Sequence, residues 1–169
     1  DYQAIIDAAY LSGVQSGSVS RILDLLDNEN PVIRYWGAVG VHNQLDKYLK
    51  HIEEIQAHLT DSYPPVQIEL AAVLFEMTAH PAAKDILVSF LNSDNGREVV
   101  QALQMIQYFD TGIDFFLPVI KTIRKKWDNK TVDANDRQNI TNCSDVILHY
   151  TDSQYLMYER MAAWNEKEE

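Results

Sequence analysis

A chain of 169 residues with 46% hydrophobic and 23% charged side chains has the size and make-up of one globular domain with a core, and its single cysteine excludes an internal disulfide and a cysteine-built zinc site. Acids outnumber bases 25 to 14, a formal charge of −11, which argues against nucleic-acid binding by phosphate neutralisation and against docking on anionic lipid. No apolar run approaches the ~18 residues of a membrane span, and the chain opens on Asp1 without a signal or transit peptide, which suggests a processed chain or an excised fragment.

The elements read in chain order as helices. Val19, Ile22, Leu23 and Leu26 fall at offsets 0, 3, 4 and 7, one stripe of a helix that Ser18 is placed to cap. Leu45, Leu49, Ile52 and Leu59 make a second stripe. Val66, Leu70, Val73, Leu74 and Met77 make a third, behind Pro64 and Pro65, where a first helical turn tolerates a missing donor. Ile86, Leu87, Phe90 and Leu91 follow His80-Pro81, and Val99, Leu103, Ile106 and nearby Phe109 follow the breaker Asn95-Gly96. No stretch alternates apolar and polar residues long enough for a good strand. The links at Asp27 to Asn30, Asp61 to Tyr63 and Ser93 to Asn95 are short, so sequential helices are expected to run antiparallel.

The chain also repeats. Asp27, Pro31, Val32 and Ala38 recur as Asp61, Pro65, Val66 and Ala72, each 34 positions on. A looser copy begins at Leu91-Asn92-Ser93-Asp94, with Ala102 and Leu103 where Ala71 and Ala72 stood. Each unit is an apolar helix, an Asp/Asn-rich turn and a second helix. Such a unit cannot bury its face alone and stacks on its neighbours. Small residues at Gly37, Ala38, Gly40, Ala71, Ala72 and Ala102 let the helices approach. The expected fold is all-α, an α-α superhelix of about eight to ten helices in two layers.

This pattern resembles HEAT-type repeats. The segment Leu25 to Val41, LLDNENPVIRYWGAVGV, is similar to the helical C-terminal region of some bacterial sulfatases, where an alkaline-phosphatase-like catalytic domain precedes HEAT-like helices. The second copy, Asp61 to Ala72, departs from that pattern at Gln67 and Ile68, where Val-Arg is usual. The resemblance covers about residues 1–110 and implies a non-catalytic accessory or interaction domain. That domain would brace the catalytic domain or border its substrate cleft, with the missing catalytic domain of the same polypeptide or another protein as partner. An exported, periplasmic location is inherited from the same resemblance. The alternative is an independent HEAT-like adaptor or scaffold. The family's formylglycine motif, Cys or Ser followed by x-Pro-x-Arg, is absent: Cys143 has neither Pro nor Arg at that spacing.

No catalytic, cofactor-binding or metal residue is therefore assigned. His51, Glu54 and His58 share a predicted helix, and imidazole and carboxylate ligate divalent cations. The two histidines are nevertheless about 10 Å apart along the axis, and an exposed polar face is expected. Cys143 lacks a local base and reads as a small buried or half-buried hydrophobe. Ser144, Asp145 and His149 are close in sequence but lack a glycine-rich elbow. Trp36 is expected in the core beside Val32 and Val39, and Arg34 is expected to bond turn carbonyls or an acid such as Asp27 or Asp61. Lys121, Arg124, Lys125, Lys126 and Lys130 form the one basic run, suited to a helix C-terminus. The sequons at Asn129, Asn139 and Asn142 matter only in a glycosylating host.

The whole of 1–169 is expected to be one domain, with repeats over about 1–110 and capping helices over about 111–166. Thr131 to Asn142 reads as a long polar loop. Val146, Ile147, Tyr150, Tyr155, Met157, Tyr158, Met161 and Trp164 then supply the anchors of an atypical cap, the alternative being that Tyr150, Tyr155, Tyr158 and Trp164 form a binding surface, and Asn165 to Glu169 form a frayed tail. Tyr2, Tyr10, Tyr35, Tyr48, Tyr63 and Tyr108 have no place in a stripe; they are the candidates for a docking side if the chain is an accessory domain, while most are expected to be singly exposed or half-buried.

Overall fold

The structure is a computed structural model and describes residues 1–14, 18–128 and 134–151. Every regular element among them is helical: α1 (Tyr2–Gly13), α2 (Val19–Leu26), α3 (Pro31–His42), α4 (Ile52–Ala57), α5 (Pro64–Thr78), α6 (Pro81–Leu91), α7 (Gly96–Ile106), α8 (Leu117–Asp128) and α9 (Ala134–Thr151), with 3-10 turns at Leu45–Tyr48, His58–Thr60 and Ile113–Phe115. The chain divides into two compact units, Asp1–Leu87 and Val88–Glu169.

In the first unit α3 is central and packs on α1, α2 and α5, while α4 and the His58–Thr60 turn pack on α5. Helix α3 is started by Asn30, whose side-chain oxygen accepts from the Val32 N–H at 2.9 Å, and by Pro31 in the first turn. Its buried side is Ile33, Gly37, Ala38, Gly40 and Val41. A Cβ built on Gly37 would lie 2.9 Å from Leu25 Cβ and 3.2 Å from the Leu26 backbone nitrogen, so α2 approaches α3 more closely than any larger residue permits. Helix α5 is buried nearly all round, from Val66 through the unbroken run Ile68 to Phe75.

Three turns use one local device. The side-chain oxygen of Asn28 accepts from the Asn30 N–H at 2.9 Å, that of Asp61 from the Tyr63 N–H at 2.7 Å, and that of Ser93 from the Asn95 N–H at 3.0 Å. The helices that follow begin at Pro31, Pro64 and Gly96. The structural repeat is thus 33 and then 32 residues, by 64 − 31 and 96 − 64. Pro31 corresponds to Pro64 rather than Pro65, because prolines at both of the first two helical positions are tolerated and either one fits the pattern.

In the second unit α9 packs on both α7 and α8. Val99, Leu103, Ile106, Phe116, Ile120, Ile123 and Trp127 are buried with Ile140, Ile147 and Leu148 of α9. The Phe109 and Phe116 rings stand 6.0 Å apart, closing the connection between α7 and α8.

Several expectations are corrected. Trp36 is half-buried, as are Val32 and Val39. These three form a flank of α3, whereas the centre of the buried face is the Gly37–Val41 side that meets α2 and α5. The stretch from Leu45 to Leu59 is broken into a 3-10 turn, a bend and the short α4. Leu49 is 52% exposed there, and the buried set is Tyr48, Ile55 and Leu59. With the helix interrupted between Tyr48 and Ile52, the spacing no longer fixes which side chains turn inward, and Tyr48 takes the core position beside Ile55 and Leu59. Ser18 makes no cap to the α2 backbone, its hydroxyl pairing instead with that of Ser20 at 2.9 Å.

The polar segment expected as a loop is helical from Ala134, because burying Ile140, Thr141, Ser144, Ile147 and Leu148 overrides the poor propensity of its Asn and Asp residues. Val146 and Tyr150 are exposed rather than anchoring. Tyr155, Met157, Tyr158, Met161, Trp164 and the Asn165 to Glu169 tail lie outside the described residues.

Gly37→Ala gains about 1 kcal/mol of helix propensity but overpacks the α2–α3 contact at about 1–3 kcal/mol. The expected net is a loss, read as a lowered urea midpoint. The same substitution at Gly13, where an added Cβ meets nothing within 4 Å, should raise or hold the midpoint.

Candidate functional site

The densest set of polar contacts in the first unit lies between α3 and α5. Arg34 is on the first turn of α3. Its Nε donates to Asp61 Oδ2 at 2.6 Å and its Nη2 to Asp61 Oδ1 at 2.8 Å, a bidentate fork. Its Nη1 donates to the carbonyls of Asn28 and Glu29 at 2.9 and 3.1 Å. The expected role of Arg34 is what the structure shows, with both the turn carbonyls and the neighbouring acid engaged. Burial works to raise the Asp61 carboxyl, but the guanidinium and the Tyr63 N–H outweigh it and hold the group below its ordinary value.

Two turns further along α3, His42 is held by both ring nitrogens. Nδ1 lies 2.6 Å from Glu69 Oε1 and Nε2 lies 2.9 Å from Glu76 Oε2, both acids on α5. Burial alone lowers the imidazole, yet its hydrogen bonds to the two carboxylates, with their charges, raise it to about 9. His42 is therefore an imidazolium at neutral pH and donates from both nitrogens. Glu69 is buried to 4% exposure, and a carboxylate that deep requires such a partner. Tyr35, on the same helix, has its phenol raised by burial first and then by the Glu69 charge.

His42, Glu69 and Glu76 escaped the sequence reading, although a signal existed. Arg34 to Asp61 and His42 to Glu69 are both 27 residues apart. A cation on one second helix and an acid 27 positions on, occurring twice in the same phase, is a rung repeated across neighbouring helices.

The other residues singled out from the sequence do not assemble into chemistry. His51 pairs with Glu54 at 3.1 Å and His58 approaches Asp27 at 3.7 Å. Among the described residues no three His, Cys, Asp or Glu side chains are grouped to hold a metal. Asp145 accepts from Arg124, whose Nε and Nη2 donate at 2.7 and 3.1 Å across α8 and α9. Ser144 is fully buried. Cys143 is half-buried and burial pushes its thiol up, away from the reactive thiolate.

The basic run is divided. Arg124 is buried, Lys126 pairs with Asp94 at 3.1 Å, Lys121 and Lys125 are exposed, and Lys130 lies outside the described residues. Asn139 and Asn142 are exposed on α9, and Asn129 lies outside the described residues. Of the tyrosines expected at a docking side, Tyr2, Tyr10 and Tyr108 are exposed, Tyr35 and Tyr63 are half-buried, and Tyr48 is buried, its hydroxyl pushed up to about 12 by that burial.

Comparison with protein-family models, with curated proteins and with solved structures finds no significant match. No helix among the described residues is long and apolar enough to cross a membrane.

The pH dependence follows from His42. Its folded value near 9 lies above the ordinary ~6.5 of an unfolded histidine, so its contribution is complete below about pH 6.5 and is lost as pH rises through about 9. The expected loss is about 2–3 kcal/mol over that window, measured as urea midpoints from pH 6 to pH 9.5. His42→Ala should remove this slope and cost about 3 kcal/mol at pH 7 by leaving Glu69 buried and unpaired.

Proposed function

We propose that this chain is a non-catalytic accessory and interaction domain, a HEAT-like helical-repeat solenoid of the kind found at the C-terminal end of bacterial sulfatases. The observation that carries the reading is a division of labour among side chains. The charged groups of the helix interfaces, Arg34, Asp61, His42, Glu69, Arg124 and Asp145, brace one helix against another. The large apolar side chains left exposed are mostly aromatic: Tyr2, Tyr10, Tyr108, Phe115 and Tyr150. Aromatic bodies, the tyrosines with a polar tip, suit contact with another protein.

The repeated turn device and the α1–α3–α5 packing support a stacked repeat, and the Asn-Pro-Val-Ile-Arg-Tyr-Trp-Gly-Ala segment supports the sulfatase connection. In that setting the partner is the catalytic domain of the same polypeptide, and an exported location follows with it. An independent adaptor for another protein is the second reading, favoured by the acidity of the chain, since a −11 charge repels the sulfated substrates that a domain bordering the cleft would meet.

The reading frame upstream of Asp1 separates the two. A Cys- or Ser-x-Pro-x-Arg motif in frame supports the accessory domain, and a frame without one leaves the adaptor. The purified chain should show no turnover of an aryl sulfate, with or without calcium, and measurable hydrolysis by it alone would overturn both.

A further inference from the structure

A reactive pair stands at the start of α7. Asn95-Gly96 is the only Asn-Gly step in the chain, and a glycine after asparagine leaves the following backbone nitrogen unhindered. That nitrogen can attack the side-chain amide. A bond forms between the Gly96 nitrogen and Asn95 Cγ, the amide nitrogen departs as ammonia with the proton that the backbone nitrogen gives up, and a cyclic imide closes. Water then opens the imide. Breaking the bond to Cγ leaves aspartate, and breaking the bond to the main-chain carbonyl carbon leaves isoaspartate, with the chain running through the side chain. Water enters, ammonia leaves, and the chain gains a negative charge.

The fold keeps the two reacting atoms apart. Asn95 caps α7: its Oδ1 accepts from the Arg97 N–H at 3.1 Å, and its Nδ2 donates to Glu98 Oε1 at 3.0 Å. Glu98 Oε2 accepts from the Ser93 hydroxyl at 2.6 Å, and the Ser93 oxygen accepts from the Asn95 N–H at 3.0 Å. The Asn95 carbonyl accepts from the N–H groups of Glu98 and Val99. At the ψ of 108° that these bonds hold, the Gly96 nitrogen is turned away from the Asn95 side chain. Bringing it to Cγ requires rotating ψ, which breaks the cap and the first helical turn together. Gly96 is buried, and a Cβ built there would lie 2.5 Å from Asp136 Oδ2, so α9 closes over the same peptide. Asn95 itself is exposed, and water reaches it once the turn opens.

We propose that Asn95 is a deamidation site gated by opening of the α7 start, and that its isoaspartyl product cannot rebuild the cap. The aspartyl product retains a capping oxygen but sets a carboxylate beside Glu98 in place of a donor. The isoaspartyl product lengthens the main chain by one atom where α7 begins. Val99, Ala102, Leu103 and Ile106, which α7 buries, then lose their register against α9. Fraying of the helix end, ordinarily reversible, is converted into a permanent loss.

The test is peptide mapping by mass spectrometry of the full chain, aged at mildly alkaline pH in buffer and in guanidinium chloride. In denaturant the peptide holding Asn95 should exchange NH for O ahead of every other asparagine, and in buffer it should do so at least about tenfold more slowly. Glu98→Ala removes the acceptor of the Asn95 amide and leaves the buried side of α7 in place. It should speed the reaction severalfold in buffer and leave the rate in denaturant unchanged. The isoaspartyl chain, separated by chromatography, should unfold at a lower denaturant midpoint than Asn95→Asp. Equal rates folded and unfolded, another asparagine reacting first in denaturant, a folded rate unmoved by Glu98→Ala, or an isoaspartyl chain as stable as Asn95→Asp would each overturn the proposal.

Discussion

The Arg34 fork on Asp61 is the contact on which the arrangement of the first unit turns. Asp61 does two jobs with one carboxylate: it closes the turn before α5 by accepting from the Tyr63 N–H, and it receives the guanidinium of α3. The start of α5 is thereby tied to the start of α3. Arg34 also gathers the carbonyls of the turn that precedes its own helix, so two successive turns are fastened through one side chain. A lysine could not do this, because only the planar fork makes two parallel bonds to the acid while a third nitrogen reaches the carbonyls.

The His42 rung repeats the constraint farther along. Arg34 and His42 are eight residues apart on α3, and Asp61 and Glu69 are eight apart toward and along α5. Two rungs of equal span hold the helices in one register. Sliding α5 by a turn would strand both acids, and a buried carboxylate without its partner is far more costly than the net worth of the pair. Apolar contacts at Ala38, Val41, Leu70 and Val73 are less particular about register than these charges. The second unit applies the same logic once, with Arg124 on α8 and Asp145 on α9.

The ion pairs therefore set alignment, while close packing sets separation. Gly37 and Gly40 bring α3 against α2 and α1 at distances a side chain would block, and α5 fills the space on the other side with nine buried residues. The same charges that align the helices face inward, while Tyr2, Tyr10, Tyr108, Phe115 and Tyr150 are exposed.

Much of this was legible in the sequence. The helical stripes at Val19 to Leu26, Val66 to Met77 and Val99 to Ile106 follow from apolar spacing alone, since a period of 3.6 leaves few other ways to bury them. Arg34 with Asp61 was foreseeable, because the fork needs an acid and the repeat places one beside it. The tertiary structure decided the rest. Tyr48 rather than Leu49 is in the core because the chain breaks into a 3-10 turn and a bend there, so helical spacing does not say which side chain turns inward. Ala134 to Asn142 is helix because α7 and α8 supply a surface that local propensity knows nothing about. Trp36 lies on a flank because the small side of α3, not its largest residue, is what α2 can approach. The His42 pairing joins residues 27 and 34 positions apart; nothing local in those residues singles them out, and their charge state exists only where burial and two carboxylates act on one imidazole together.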